Sequence, residues 1–393
     1  MKKLQMKYNL LHLFYWITYC CVYGFVAILL HYKGLSNTQI GIVTGLGAAI
    51  TIITSPYIAS LIGKIKGMTT KKLVTLTFIG QFILYALMSF LPLPAPILII
   101  LYIALISLMA ADVPVLSQIC MDYLKDGEYL NFGLSRGIGS LSYASGAAVM
   151  GILVDVLNPL SIVAVHVISG IGVLIMLASL PDVKVKEEST ATQKISMLTF
   201  MKTYKKYTLM LIAFMFPVAA ATGLGTYLIN IVTHLGGSSS LFGIATFLSA
   251  GSELPFMAIT HKLLKRFKPV QLLMVASFFY VVRNLTICLA PNLVILIIGL
   301  LFQGISYGIF TAVITIYAND YVKSEHGMMA QTLLAVIVTG IGSTIVNFVG
   351  GRLQDTFGLS SMLIFMAVMT LIGFVMMLAI YLKGDHNEAK LNG

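Results

Sequence analysis

Apolar runs about twenty residues long recur along this chain from Asn9 to Leu382, separated by short polar breaks. Each run has the length that spans roughly 30 Å of hydrocarbon at about 1.5 Å per residue. A water-soluble core could not absorb them all: hydrophobic residues fill 58% of the 393 positions and charged residues only 10%, far from the balance of a globular domain. In lipid every backbone polar group must be satisfied within its own segment, and runs without period-two alternation predict helices, not an outer-membrane barrel. The expected fold is an all-α membrane protein with twelve transmembrane helices. The spans fall near 9–31, 38–63, 73–93, 95–119, 130–154, 160–181, 208–232, 239–261, 270–290, 293–318, 328–350 and 360–382. The first is long, contains Trp16 and several tyrosines and lacks a small-residue cleavage pattern, so it is expected to be retained and not removed as a signal peptide.

Orientation follows from the basic residues. Lys2, Lys3 and Lys7 precede the first run, Lys64, Lys66, Lys71 and Lys72 follow the second, and Lys262, Lys265, Arg266 and Lys268 follow the eighth. The alternate loops, such as 91–95 and 290–292, carry no charge. By the positive-inside rule both termini face the cytoplasm, in a plasma or inner cell membrane. The net charge of +11 expresses this bias and an attraction to anionic membrane lipid, with no nucleic-acid partner required. Cys20, Cys21, Cys120 and Cys288 are scattered without metal or disulfide spacing. There is no Gly-rich phosphate loop, no pair of histidines one turn apart and no nucleophile elbow, and His12, His166, His234 and His261 sit on separate runs or loops. Neither an enzyme nor a cofactor-bearing protein is expected.

The chain repeats itself. Lys33-Gly-Leu-Ser-Asn-Thr-Gln-Ile-Gly-Ile42 matches Leu235-Gly-Gly-Ser-Ser-Ser-Leu-Phe-Gly-Ile244 at an offset of 202, and Gly137-Ile-Gly-Ser140 recurs as Gly340-Ile-Gly-Ser343 at 203. Gly151-Ile-Leu-Val-Asp155 and Gly351-Arg-Leu-Gln-Asp355 fall at 200. Three matches on one diagonal, around a polar segment with six lysines, predict two six-helix halves related by pseudo-two-fold symmetry. The halves are 1–181 and 208–393, with 182–207 as a cytoplasmic linker. Parallel repeats of this kind place a solute site between the halves near the midplane. Gly133, Gly137, Gly139, Gly146 and Gly151, with Gly340 and Gly342, are expected to let helices approach closely.

Four charges lie inside apolar runs: Asp112, Arg136, Glu253 and Arg283. Each costs about 2.5 to 3.5 kcal/mol at the bilayer centre, so each needs a partner or a function. Asp112 and Arg136 reach similar depth on adjacent spans, as do Glu253 and Arg283, which predicts two opposite-sign pairs. Such pairs either fix helix register or bind solute and ion.

These residues also carry a resemblance. Asn131-Phe-Gly-Leu-Ser-Arg-Gly-Ile-Gly-Ser-Leu-Ser-Tyr143 resembles the fifth-helix region of the lactose permease branch of the major facilitator superfamily, the oligosaccharide:proton symporters and their phenylpropionate-permease-like relatives. Ser252-Glu253-Leu254 and Val282-Arg283 align with that branch's essential Glu and Arg. The resemblance implies that Arg136 binds solute through its planar fork, that Tyr143 stacks on a sugar ring, and that Glu253 accepts solute hydroxyls or carries a proton. Gln118 stands where the sugar permeases have a binding carboxylate, and Gln303 and Ser306 replace the His and Glu tied to proton coupling. The loop 63–72 keeps the superfamily's basic residues without its Asp. These departures count against lactose itself and leave Glu253, Arg283 and Asp112 as the candidates for ion coupling, beside Arg136, Tyr143, Glu253, Gln118 and Gln303 for solute.

The expected function is therefore secondary active transport of a small polar organic solute or oligosaccharide by alternating access, coupled to protons, in a chain that works as a monomer. Efflux of amphipathic compounds or lipid is the alternative within transport, and a membrane solute sensor the alternative outside it.

Overall fold

The computed structural model describes residues 2–183 and 196–383. Among these residues the chain is helical with no strand, and eleven helices are long and apolar enough to cross a membrane. A bent pair, Lys3–Gly24 with Val26–Tyr32, supplies a twelfth span, α1. The others are α2 (Asn37–Ile62), α3 (Thr70–Phe90), α4 (Ala95–Lys125), α5 (Phe132–Val156), α6 (Ser161–Ser179), α7 (Lys205–Thr226), α8 (Ser239–Thr260), α9 (Pro269–Cys288), α10 (Leu293–Ala318), α11 (Gly327–Phe357) and α12 (Leu359–Leu382). This is the major facilitator fold. Residues 184–195 of the expected linker lie outside the described residues; its later part includes a short helix, Met197–Thr203.

The polar breaks between apolar runs act as helix starts. Ser36, Thr69, Asn131, Ser238 and Asn292 each accept a backbone N–H of the following first turn, satisfying a donor that lipid could not. The outward face stays apolar, with Ile168 of α6 70% and Val375 of α12 61% exposed. Several helices outrun their apolar segments. α4 continues to Lys125 because its polar end is satisfied internally: Asp122 accepts hydrogen bonds from Thr70 and Gln118.

α1 is broken by a π-helical turn, Cys20–Gly24, and bends by 55°. It is held to α4 by a ladder of tyrosine hydroxyls on main-chain carbonyls. Tyr8 donates to Leu116 (3.0 Å), Tyr15 to Met109 (2.8 Å) and Tyr23 to Ile106 (3.0 Å), while Tyr102 of α4 returns a bond to Val22 (3.0 Å). α7 breaks at the equivalent place: its continuation, Leu228–His234, lies 202 residues after Val26–Tyr32, the offset of the sequence repeat.

At the end of the bundle away from the N-terminus the two halves are sealed. α2 packs on α11 and α5 on α8 through bare glycine backbone. A Cβ on Gly41 would collide with the Asn347 carbonyl oxygen, one on Gly351 with that of Asn37, one on Gly151 with that of Ser239, and one on Gly243 with that of Ala147. Each contact is clamped by an aspartate at the end of one helix capping the start of the other. Asp155 of α5 accepts the backbone N–H of Ser239 (3.0 Å) and Ser240 (2.6 Å). Asp355 of α11 accepts those of Asn37 (3.2 Å) and Thr38 (2.7 Å), with the side chains of both. Of the glycines singled out in the sequence, Gly139, Gly151, Gly340 and Gly342 meet close neighbours. Gly133, Gly137 and Gly146 do not: a Cβ on Gly137 would face open space, and those on Gly133 and Gly146 would meet Asn131 Oδ1 at 3.5 Å and Ile17 of α1 at 3.7 Å, ordinary contact distances.

Candidate functional site

α5 carries Arg136, Ser140 and Tyr143 at i, i+4 and i+7, which places them on one helix face. One position further round, Gly139 leaves bare backbone against which the Trp16 indole of α1 is seated. The Arg136 guanidinium carbon lies 4.1 Å from the Trp16 ring centroid, a cation–π contact. Its Nη1 donates to Ser140 Oγ at 2.7 Å. Tyr19 and Tyr23, on either side of the start of the π-helical turn in α1, stack in parallel with centroids 4.4 Å apart, and Tyr143 approaches Tyr19 at 6.4 Å.

The other half supplies the polar counterpart. Glu253 of α8 accepts a hydrogen bond from Gln303 Nε2 of α10 at 3.0 Å. The helices come this close because Gly304 opens a π-helical turn, Gly304–Gly308, with its bare Cα against the Ser252 carbonyl. Arg283 of α9 is only 4% exposed. Its Nη1 donates to Asn284 Oδ1 at 2.6 Å, and Asn284 is itself fixed by bonds to the Pro217 carbonyl (3.1 Å) and Thr370 (2.9 Å).

Between these walls lies a cavity of about 760 Å³, lined from both halves by α1, α5, α7, α8, α9 and α10. That volume is within the range of small-molecule sites. Arg136, Tyr143, Glu253, Arg283 and Gln303 all line it. Gln118 and Asp112 do not, and the expected Asp112–Arg136 pair is not formed. Both side chains are spent on the packing of α4 against α3: Asp112 accepts bonds from Thr77 (2.8 Å) and Gln81 (2.6 Å), and Gln118 donates to Asp122 (2.9 Å), which also binds Thr70 of α3. Nor do Glu253 and Arg283 form a contact ion pair; each takes a neutral amide partner instead. Ser306 turns back to the Phe302 carbonyl of its own helix. The aromatic wall of Trp16, Tyr19, Tyr23 and Tyr307 was not anticipated. Its trace in the sequence was the spacing of Trp16, Tyr19 and Tyr23 along one helix face, which reads equally as packing.

The sequence profile of the MFS_1 like family matches residues 5–367. The chain belongs to this family. It is a multi-pass membrane transporter of the major facilitator type acting on a small-molecule solute. It is 23% identical over 347 residues to the maltose permease of Geobacillus stearothermophilus, covering 88% of this chain and 86% of that protein. It is also 23% identical over 361 residues to the uncharacterized transporter YwbF of Bacillus subtilis (strain 168), covering 91% and 88%. Among solved structures the nucleoside transporter NupG superposes with a TM-score of 0.81 at 12% identity, covering 96% of this chain and 98% of that one. A POT family transporter in complex with 5-aminolevulinic acid gives 0.72 at 11%, covering 96% and 95%. At these identities the structural likeness concerns the fold alone.

Proposed function

We propose that this MFS_1 like protein is a secondary active transporter of the cell membrane, with both termini cytoplasmic, that moves a small polar organic solute or oligosaccharide by alternating access coupled to protons. The observation that carries the reading is the cavity itself. It is lined from both halves and gathers Arg136, Tyr143, Glu253, Arg283 and Gln303 from four helices, α5, α8, α9 and α10. The same halves are sealed against each other only toward the end where Asp155 and Asp355 cap the opposing helices. With cytoplasmic termini that end is external, so the structure corresponds to an inward-facing arrangement. In this reading Arg136 and Gln303 hold the solute, Tyr143 packs on its apolar face, and Glu253 carries the proton, with Arg283 responding to its charge. Asp112, buried without a cation partner among the described residues, is a second candidate for the proton. The maltose permease relative supports a sugar-like solute.

The test is uptake into proteoliposomes from a solute panel with an imposed pH gradient. Accumulation that collapses when the gradient is dissipated, and that Glu253→Gln abolishes or uncouples without loss of insertion, is the expected result. Unchanged accumulation in Glu253→Gln removes this carboxylate from the mechanism, and solute expulsion driven by the same gradient makes the protein an exporter.

A further inference from the structure

We infer that the transported solute is an organic monoanion, a carboxylate borne on a body with a flat face, and not a neutral sugar. The inference rests on the transport reading above and concerns the same cavity.

The charge inventory of the cavity is unequal. Two guanidinium groups, Arg136 and Arg283, face one carboxylate, Glu253. Glu253 contacts neither arginine, its described hydrogen bond being the one from Gln303. The carboxylate that the sequence offered as a counter-charge for Arg136, Asp112, is turned away into the α3–α4 contact. One fixed positive charge is therefore unbalanced in a cavity walled by membrane-spanning helices, and when the cavity closes around a neutral solute that charge is left uncompensated and costly.

Hydrogen-bonding capacity is unequal in the same sense. A guanidinium offers five N–H donors and no acceptor. Among the described residues Arg136 gives one to Ser140 and lays its face on Trp16. Arg283 gives one to Asn284, and its buried Nε has no partner; the buried Trp16 Nε1 has none either. A neutral polyol brings a donor with each hydroxyl and leaves the charge uncompensated. A carboxylate brings acceptors only, matches the guanidinium fork in the plane, and cancels the charge. The stacked tyrosines and Tyr143 would then receive a ring or other flat apolar face beside it.

Trp16 is the only tryptophan of the chain and lies beneath Arg136, so its fluorescence reports on this site directly. The purified full-length protein in nanodiscs is titrated with glucuronate against glucose and with benzoate against benzamide, following Trp16 emission. The inference predicts at least tenfold tighter binding of a carboxylate than of its neutral counterpart in one of the pairs, and a ratio near one in Arg136→Gln. The wild-type ratio decides the matter if the variant does not fold. Equal or tighter binding of the neutral members, or no response to either carboxylate, overturns the inference. Counterflow in proteoliposomes separates the two claims. Maltose or glucose exchanged while the carboxylates are not leaves transport standing and refutes the anion. Carboxylates bound at Trp16 but never exchanged refute transport and leave the anion site standing.

Discussion

Arg136 combines a permanent charge, a π face beneath it and donors left to offer. Lysine would keep the charge and lose the fork, so Arg136→Lys is expected to weaken solute binding by about 1.5 to 3 kcal/mol, roughly 10- to 150-fold. Asp112→Asn should leave affinity within a few-fold of normal, because Asp112 contacts α3 and not the cavity. Equilibrium binding on both variants checks this; near-normal affinity in Arg136→Lys would reduce the arginine to a structural charge. The residues lining the cavity were partly legible because ions stand out in apolar runs. Arg136, Glu253 and Arg283 could be placed by depth alone. Their partners could not, since depth does not give helix phase. Asp112 turns toward α3 and Gln118 is held by Asp122 of its own helix, and both expected ion pairs dissolved into amide and hydroxyl contacts. Trp16, Tyr19 and Tyr23 stayed hidden because aromatic residues in a lipid-spanning helix have several ordinary uses.

At the scale of helices, the polar punctuation of the sequence marked five of the starts, as Ser36, Asn131 and Ser238 demonstrate by capping the helices that follow them. The π-helical turn in α1 was not legible: it depends on tyrosine hydroxyls reaching α4 carbonyls, contacts far apart in sequence. The repeat at Asp155 and Asp355 was visible, whereas its use was not. Each aspartate ends one helix and caps another, adding a negative charge at a helix N-terminus to two backbone hydrogen bonds. Asparagine would retain an acceptor and lose the charge. Asp155→Asn or Asp355→Asn is expected to weaken the sealed end by about 1 kcal/mol, shifting its open-to-closed ratio roughly fivefold. The two sites share no partner, so the double variant should shift it by the product, roughly 25-fold. Alkylation rates of a cysteine replacing Ser249, measured from the sealed side, read that population; rates unchanged from the parent in the double variant would show that glycine packing alone closes this end.

For the whole molecule, the twofold pattern of glycine contacts and aspartate caps leaves a bundle whose halves adhere at one end and enclose a charged, aromatic-walled cavity between them. Such an arrangement transports only if the sealed end opens as the other closes. Spin labels in place of Leu157 and Leu289 report on the sealed end, and labels in place of Tyr129 and Phe267, all exposed loop-end positions, report on the opposite end. Double electron–electron resonance is recorded in nanodiscs for each pair, with and without the Asp155→Asn and Asp355→Asn changes. The account predicts a new, longer Leu157–Leu289 distance in the double variant, together with a new, shorter Tyr129–Phe267 distance at matching population. Distances that stay fixed at both ends, or that lengthen together, would contradict alternating access through this cavity.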